Sequence, residues 1–135
     1  VIISNSAFSR LNFVRGGNLL NLMHQTTVCL ELSNTKFSNI TGGSVNIQAY
    51  NKDAVNSPTK VRLVNVTADN LDGQYNSFLH LKQGADLEVR NSSFTNIYNY
   101  ERGSVINAEY KNTVIQIYES VFQNNTSIKG GVFNV

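Results

Sequence analysis

The sequence predicts an all-β chain folded as a right-handed parallel β-helix, a solenoid of about five coils of 26 to 31 residues, and three observations carry that prediction. A frame around phenylalanine recurs as "SAFSRL" at Phe8, "TKFSNI" at Phe37, "VTADNL" at Ala68, "SSFTNI" at Phe94 and "SVFQNN" at Phe122, in steps of 29, 31, 26 and 28 residues. Aliphatic residues alternate with polar ones ahead of every anchor, and no segment sustains a helical period. Asparagine makes up 20 of the 135 residues, against one proline, and much of it falls in columns.

Each coil opens with a strand. Seven residues before the anchor stand Val1, Leu30, Val61, Leu87 and Ile115, and five before it stand Ile3, Leu32, Leu63, Val89 and Ile117. All ten are aliphatic, as one buried strand face requires. Strands this short cannot bury themselves, but coils stacked at about 4.8 Å bring equivalent residues into register, and five make a rod of roughly 24 Å.

A corner follows, where the column three before the anchor reads Asn5, Asn34, Asn65, Asn91 and Glu119. A second corner comes two after it, at Arg10, Asn39, Asn70, Asn96 and Asn124. Asparagine tolerates the left-handed backbone, and stacked carboxamides can donate and accept along a ladder, so two inward-facing asparagine ladders are expected.

Nine residues after the anchor fall Gly17, Gly103 and Gly131, with Ser77 in the same slot and Gly43 after six in the shorter second unit. Glycine meets the same backbone need. A third strand then resumes at Leu19, at Val45 with Ile47, at Leu79 with Leu81, at Val105, and at Phe133 with Val135. Parallel connections are overwhelmingly right-handed, hence the predicted hand. An antiparallel sandwich explains neither the asparagine columns nor steps near 28 residues. The hexapeptides of a left-handed solenoid and the helices of a leucine-rich horseshoe are missing.

The chain reads as a single β-helix segment over residues 1–135, expected to be a fragment of a longer β-helix without its caps. Its 11 basic and 9 acidic residues are scattered and leave a net charge of +2, so no footprint for nucleic acid or anionic lipid is visible. No apolar run approaches the roughly 18 residues of a membrane span, so no direct membrane insertion is expected of this segment. The start lacks the pattern of a signal peptide. Cys29, the one cysteine, has no local histidine or cation to activate it.

The motifs resemble those of pectin-lyase-like right-handed parallel β-helices, in particular the repeats of polymorphic outer membrane proteins and of large surface proteins of single-celled eukaryotes. Such repeats carry Phe-x-x-Asn and Gly-Gly-Ala followed by an aliphatic residue. "FQNN" at Phe122 to Asn125 matches the first, "GGSV" at Gly42 to Val45 nearly matches the second, and Gly103 to Val105 and Gly130 to Phe133 match it loosely. In the other phenylalanine units the asparagine sits two after the anchor or is missing. The resemblance implies a secreted or surface-exposed protein of adhesive or structural type, without implying an activity.

Enzymes on this fold use clustered acids. Here the close pairs are Asp69 with Asp72, beside the Ala68 that replaces phenylalanine and so a conceivable local site, and Asp86 with Glu88. His24 and His80 form no local motif, no nucleophile elbow or phosphate loop is present, and no catalytic residue, metal site or cofactor is assigned. Tyr50 and Tyr110 each lie seven residues after a glycine, and Tyr98 and Tyr100 add a loop pair that together could contact glycans. Five sequons occur, at Asn39, Asn65, Asn91, Asn124 and Asn125, against about three expected by chance from this composition. Inward ladder carboxamides could not carry a glycan, which leaves Asn125 as the sequon outside both columns.

The function expected is a non-enzymatic structural or adhesive segment of an extracellular or cell-surface protein, a rigid spacer and presentation surface. Its partners would be neighbouring coils of the same longer chain, other copies, or surface glycans. The alternatives are a carbohydrate-binding or carbohydrate-processing β-helix domain and a self-assembling filament unit built on exposed coil ends.

Overall fold

The computed structural model describes residues 1–13, 20–21, 29–42, 45–46, 59–82, 85–109 and 113–135. The described residues contain strands and no helix. The first coil supplies β1 (Ile2–Ser4), β2 (Ala7–Asn12) and β3 (Leu20–Asn21), and the second β4 (Cys29–Ser33), β5 (Lys36–Thr41) and β6 (Val45–Asn46). The third supplies β7 (Thr59–Val64), β8 (Thr67–Asp72) and β9 (Leu79–Lys82), and the fourth β10 (Ala85–Arg90), β11 (Ser93–Arg102) and β12 (Ile106–Glu109). The last supplies β13 (Val114–Tyr118), β14 (Val121–Gln123), β15 (Thr126–Lys129) and β16 (Phe133–Asn134).

Every pairing among the described residues is parallel and joins equivalent strands of successive coils, which makes the chain a parallel β-solenoid. One wall runs β1-β4-β7-β10-β13, and a second runs β2-β5-β8-β11-β14 with β15 also on β11. The third comprises β9-β12-β16 and the pair β3-β6, so about three turns are complete on all three walls among the described residues. The aliphatic column is in register from Ile3 through Leu32, Leu63 and Val89 to Ile117, reproducing the sequence steps. Leu32, Leu63 and Val89 are fully buried, because each has a coil above and below it.

The asparagine columns are backbone devices. All ten of their positions have a left-handed backbone, with φ between 47 and 56°, and this includes Glu119 and Arg10 where asparagine is replaced. A residue with a Cβ pays roughly 1–2 kcal/mol to enter that region, and asparagine, which bonds locally there, is the side chain that tolerates it best. The second column lies inside β2, β5, β8 and β11 and interrupts their pairing by one residue, which bends the second wall and turns Leu11, Ile40, Leu71 and Ile97 toward the core.

The carboxamides face outward, contrary to expectation. All eight ladder asparagines are exposed, since a left-handed corner throws its side chain off the convex side of the chain. Beside the first corner a hydroxyl column does the inward work: Ser6, Thr35, Ser92 and Ser120 each donate to the carbonyl two residues back, at 2.7 to 2.9 Å. Ser92 and Ser120 also accept from the backbone N–H of Val66 and Ser92 in the preceding coil.

The third wall is shifted from the sequence expectation. Val45 aligns with Leu20 rather than Leu19, and Ile106 rather than Val105 aligns with Leu79 and Phe133. The glycine loop sets this offset. Gly103 takes φ +51° and a Cβ there would lie 2.3 Å from the Ile106 carbonyl oxygen, so the chain folds back one residue later than strict alternation implies. Gly17, Leu19, Gly43 and Ile47 lie outside the described residues.

The core is threaded by aromatic rings. Phe8 stacks on Phe37 at 5.2 Å and Phe94 on Phe122 at 5.1 Å. Between them Ala68 leaves a gap that Phe78 fills from the start of the third wall, 5.2 Å from Phe37 and 5.5 Å from Phe94. Two coils of rise are about 9.6 Å, so the ring of Phe78 lies at the height the missing anchor would occupy.

Candidate functional site

The acid pairs singled out in the sequence are structural neighbours of the corners. Asp69 Oδ1 accepts from Thr95 Oγ1 at 2.6 Å and from Asn96 Nδ2 at 2.9 Å in the next coil. The Thr95 hydroxyl, then the Asn96 amide, hold its carboxyl below the usual carboxylate range. Asp72 Oδ1 accepts from the Gln74 N–H at 3.1 Å and closes a turn. Arg62, on the first wall, pairs with Glu88 at 3.3 Å, and Glu88 also bonds Arg90. Ala68 therefore opens no site: Phe78 occupies the space, and Asp69 lies on the outward side of the same strand. No group of three or more His, Cys, Asp or Glu side chains that could hold a metal occurs among the described residues. Cys29 is a free, exposed thiol.

The ladders are partial. Asn34 Nδ2 donates to Asn5 Oδ1 at 3.2 Å and Asn65 Nδ2 to Asn34 Oδ1 at 3.0 Å, but the ladder does not extend to Asn91. In the other column Asn70 bonds Asn39 at 2.6 Å and Asn124 bonds Asn96 at 3.4 Å, while Asn96 turns its amide to Asp69 instead of Asn70. Carboxylate charge wins that competition, because a charged acceptor strengthens the hydrogen bond.

The sequon asparagines differ in placement. Asn125 is half-buried, donates to the Phe94 carbonyl at 2.8 Å and accepts from the Ile97 N–H at 3.0 Å. It takes the slot that Leu11, Ile40, Leu71 and Ile97 fill in the other coils, and its carboxamide bridges the pairing gap between β14 and β15 where they lie on β11. Asn39 and Asn91 are exposed, and neither donates its amide to a described partner.

The chemistry-bearing surface gathers around the end of β11. Tyr98 and Tyr100 alternate with buried Asn99, so both rings face outward, with centroids 4.8 Å apart. Asn99 locks the strand from within: its amide reaches Ser77 Oγ, the Arg102 carbonyl and the Gly103 carbonyl at 3.1 to 3.4 Å, and its oxygen accepts from the Glu101 N–H at 2.7 Å. Tyr75 joins them from the turn between β8 and β9, its ring 5.9 Å from that of Tyr100. That turn is closed by Asn76 N–H to the Gly73 carbonyl at 2.8 Å, and the Tyr100 N–H donates to the Gln74 carbonyl. A Cβ on Gly73 would sit 2.0 Å from the Asn76 carbonyl oxygen, so the turn requires glycine.

Beside these rings lies a groove of about 600 Å³, lined by Tyr75, Tyr100, His80, Glu101, Asn107 and Glu109 among others. His80 Nε2 lies 3.1 Å from Glu109 Oε1, to which Asn107 also donates at 3.4 Å. Of the tyrosines expected to contact glycans, Tyr100 lines this groove, Tyr98 packs on Tyr100 beside it, and Tyr50 and Tyr110 lie outside the described residues. Tyr75 carries no periodic signal. Its one sequence mark is "DGQYN", a turn inserted in the unit whose anchor is alanine.

Comparison with protein-family models, with curated proteins and with solved structures returned no match. The class is therefore defined by its own geometry, a parallel β-solenoid carrying an aromatic-edged polar groove on its flank.

Proposed function

We propose that this chain is a non-enzymatic structural or adhesive segment of an extracellular or cell-surface protein, acting as a rigid spacer and presentation surface. The observation that carries the proposal is the left-handed backbone at all ten corner positions. The most unusual feature of the composition builds a regular stack, and the most telling acids brace it. The Phe-x-x-Asn and glycine motifs support a pectin-lyase-like relationship to repeat-bearing surface proteins. Asn125 clamps the preceding coil, and Gly42, with φ +80°, places its backbone where a Cβ would meet the Phe13 carbonyl.

The test is localisation in the source organism. Antibody against the chain is expected to label intact, unpermeabilised cells or the secreted fraction. Labelling confined to the cell interior overturns the proposal.

A further inference from the structure

We propose that the groove beside Tyr75, Tyr98 and Tyr100 binds a neutral oligosaccharide by stacking a sugar ring on exposed tyrosine. The inference deepens the presentation reading by naming a ligand class, and it rests on that reading only for where the ligand is met.

The aromatic cluster is the first support. Tyr75, Tyr98 and Tyr100 are 66%, 38% and 44% exposed although they touch one another, so the rings form a surface platform and not a buried corner. Soluble surfaces seldom group aromatic rings in this way without a binding role. Each ring offers an apolar face with a hydroxyl at its edge, which suits a ligand apolar on one face and polar on its rim.

The groove is the second. Its volume of about 600 Å³ is that of a small-ligand site. Its lining is largely polar, with the Asn76 and Asn107 amides, the His80–Glu109 pair and the Glu101 carboxylate bringing donors and acceptors into one site. Vicinal hydroxyls need that mixture. An apolar ligand would desolvate the Asn76 amide and the Glu101 carboxylate and give them nothing to bond.

Glu101 and Glu109 line the groove together with Arg102 and Lys129, so no single sign prevails and net charge selects neither an acidic nor a basic chain; a neutral chain suits that balance.

Preorganisation is the third support. The Asn99 network fixes the strand that carries Tyr98 and Tyr100, and the Gly73 turn tied to the Tyr100 N–H fixes Tyr75. Little ordering is left for the ligand to impose.

The experiment is a ¹H–¹⁵N titration of the intact chain with cellohexaose, mannohexaose, xylohexaose and the hexamer of N-acetylglucosamine, with oligogalacturonate as the acidic probe. At least one neutral probe is expected to move the amides of residues 75–80 and 98–109 saturably, with a Kd on the order of 0.1–1 mM and no dependence on salt. Tyr100→Ala and Tyr75→Ala should each weaken it by about tenfold. Tyr100→Phe should retain it, because the ring face makes the contact. Tyr118→Ala, an exposed tyrosine on the first wall beside Arg90, should change nothing and controls for general surface effects. Spectra of the alanine variants that keep wild-type shifts away from the groove show that the fold survives. Failure of every neutral probe to saturate, unchanged binding in Tyr100→Ala, or binding of oligogalacturonate alone overturns the inference. Localisation is measured separately, so either claim can fail without the other.

Discussion

Phe78 is expected to carry more of the stability than any anchor phenylalanine at the stack's ends. Its side chain is 1% exposed and bridges Phe37 and Phe94 across the coil in which Ala68 contributes only a methyl group. Phe78→Ala removes a buried ring and two ring contacts, and neighbouring Ala68 has no side chain that could collapse into the space. Buried Phe→Ala changes cost about 3–5 kcal/mol, and with so little relaxation available we expect about 4 kcal/mol. Against a typical domain stability of 5–15 kcal/mol that is a large share. Ala68→Phe alone should overpack the site and cost about 1–3 kcal/mol. The double variant returns the ring to its repeat position, so its cost should fall below the sum of the two by at least about 1 kcal/mol. Urea unfolding of all four proteins, followed by circular dichroism, measures the cycle. A cost under about 1 kcal/mol for Phe78→Ala, or strict additivity in the double variant, would refute the reasoning.

Further predictions concern the corners and the surface. Asn65→Ala should cost about 1–2 kcal/mol and Asn65→Gly much less, whereas Glu119→Asn and Arg10→Asn should each stabilise by about 0.5 kcal/mol or more, all read by urea unfolding. Ser104→Ala should be neutral or stabilising by about 1 kcal/mol in the same assay, since the Ser104 hydroxyl is buried and finds no partner among the described residues. The lowered carboxyl of Asp69 means that its contribution is present above the ordinary carboxylate range and is lost as pH falls through its folded-state value. The melting temperature should therefore decline below about pH 4, and less steeply in Asp69→Asn. In a glycosylating host, mass spectrometry should find Asn125 unoccupied and Asn39 and Asn91 the most occupied, because a glycan on Asn125 would remove its bond to the Phe94 carbonyl.

The coil and its step were legible because identical backbone problems recur at fixed spacing. Leu32 and Leu63 share a column since both must enter one interior, and Asn34 and Asn65 share another since both corners need a left-handed residue. Compensation between positions leaves no such trace. Nothing in the repeat marks Phe78 as the ring that replaces Phe at position 68, because it comes from another wall of the same coil. Side-chain direction was illegible for a related reason: the demand on asparagine is conformational, so the pattern is the same whether the carboxamide faces in or out. Asn125 shows the reverse, with its inward bonds arising from a break in pairing that only the stacked coils reveal. Tyr100, with Tyr98 packed on it, was visible as a pair, but the other groove residues Tyr75, His80 and Glu109 come from three elements that only the fold brings together.

The stacking register itself is tested most directly by cross-strand NOEs in the isotopically labelled chain. Parallel in-register coils predict backbone contacts linking Ile3 to Leu32, Leu32 to Leu63, Leu63 to Val89 and Val89 to Ile117, each one coil apart in sequence. Strong Hα–Hα contacts between strands adjacent in sequence, with none at 26 to 31 residues' separation, would mean antiparallel hairpins and would contradict the solenoid.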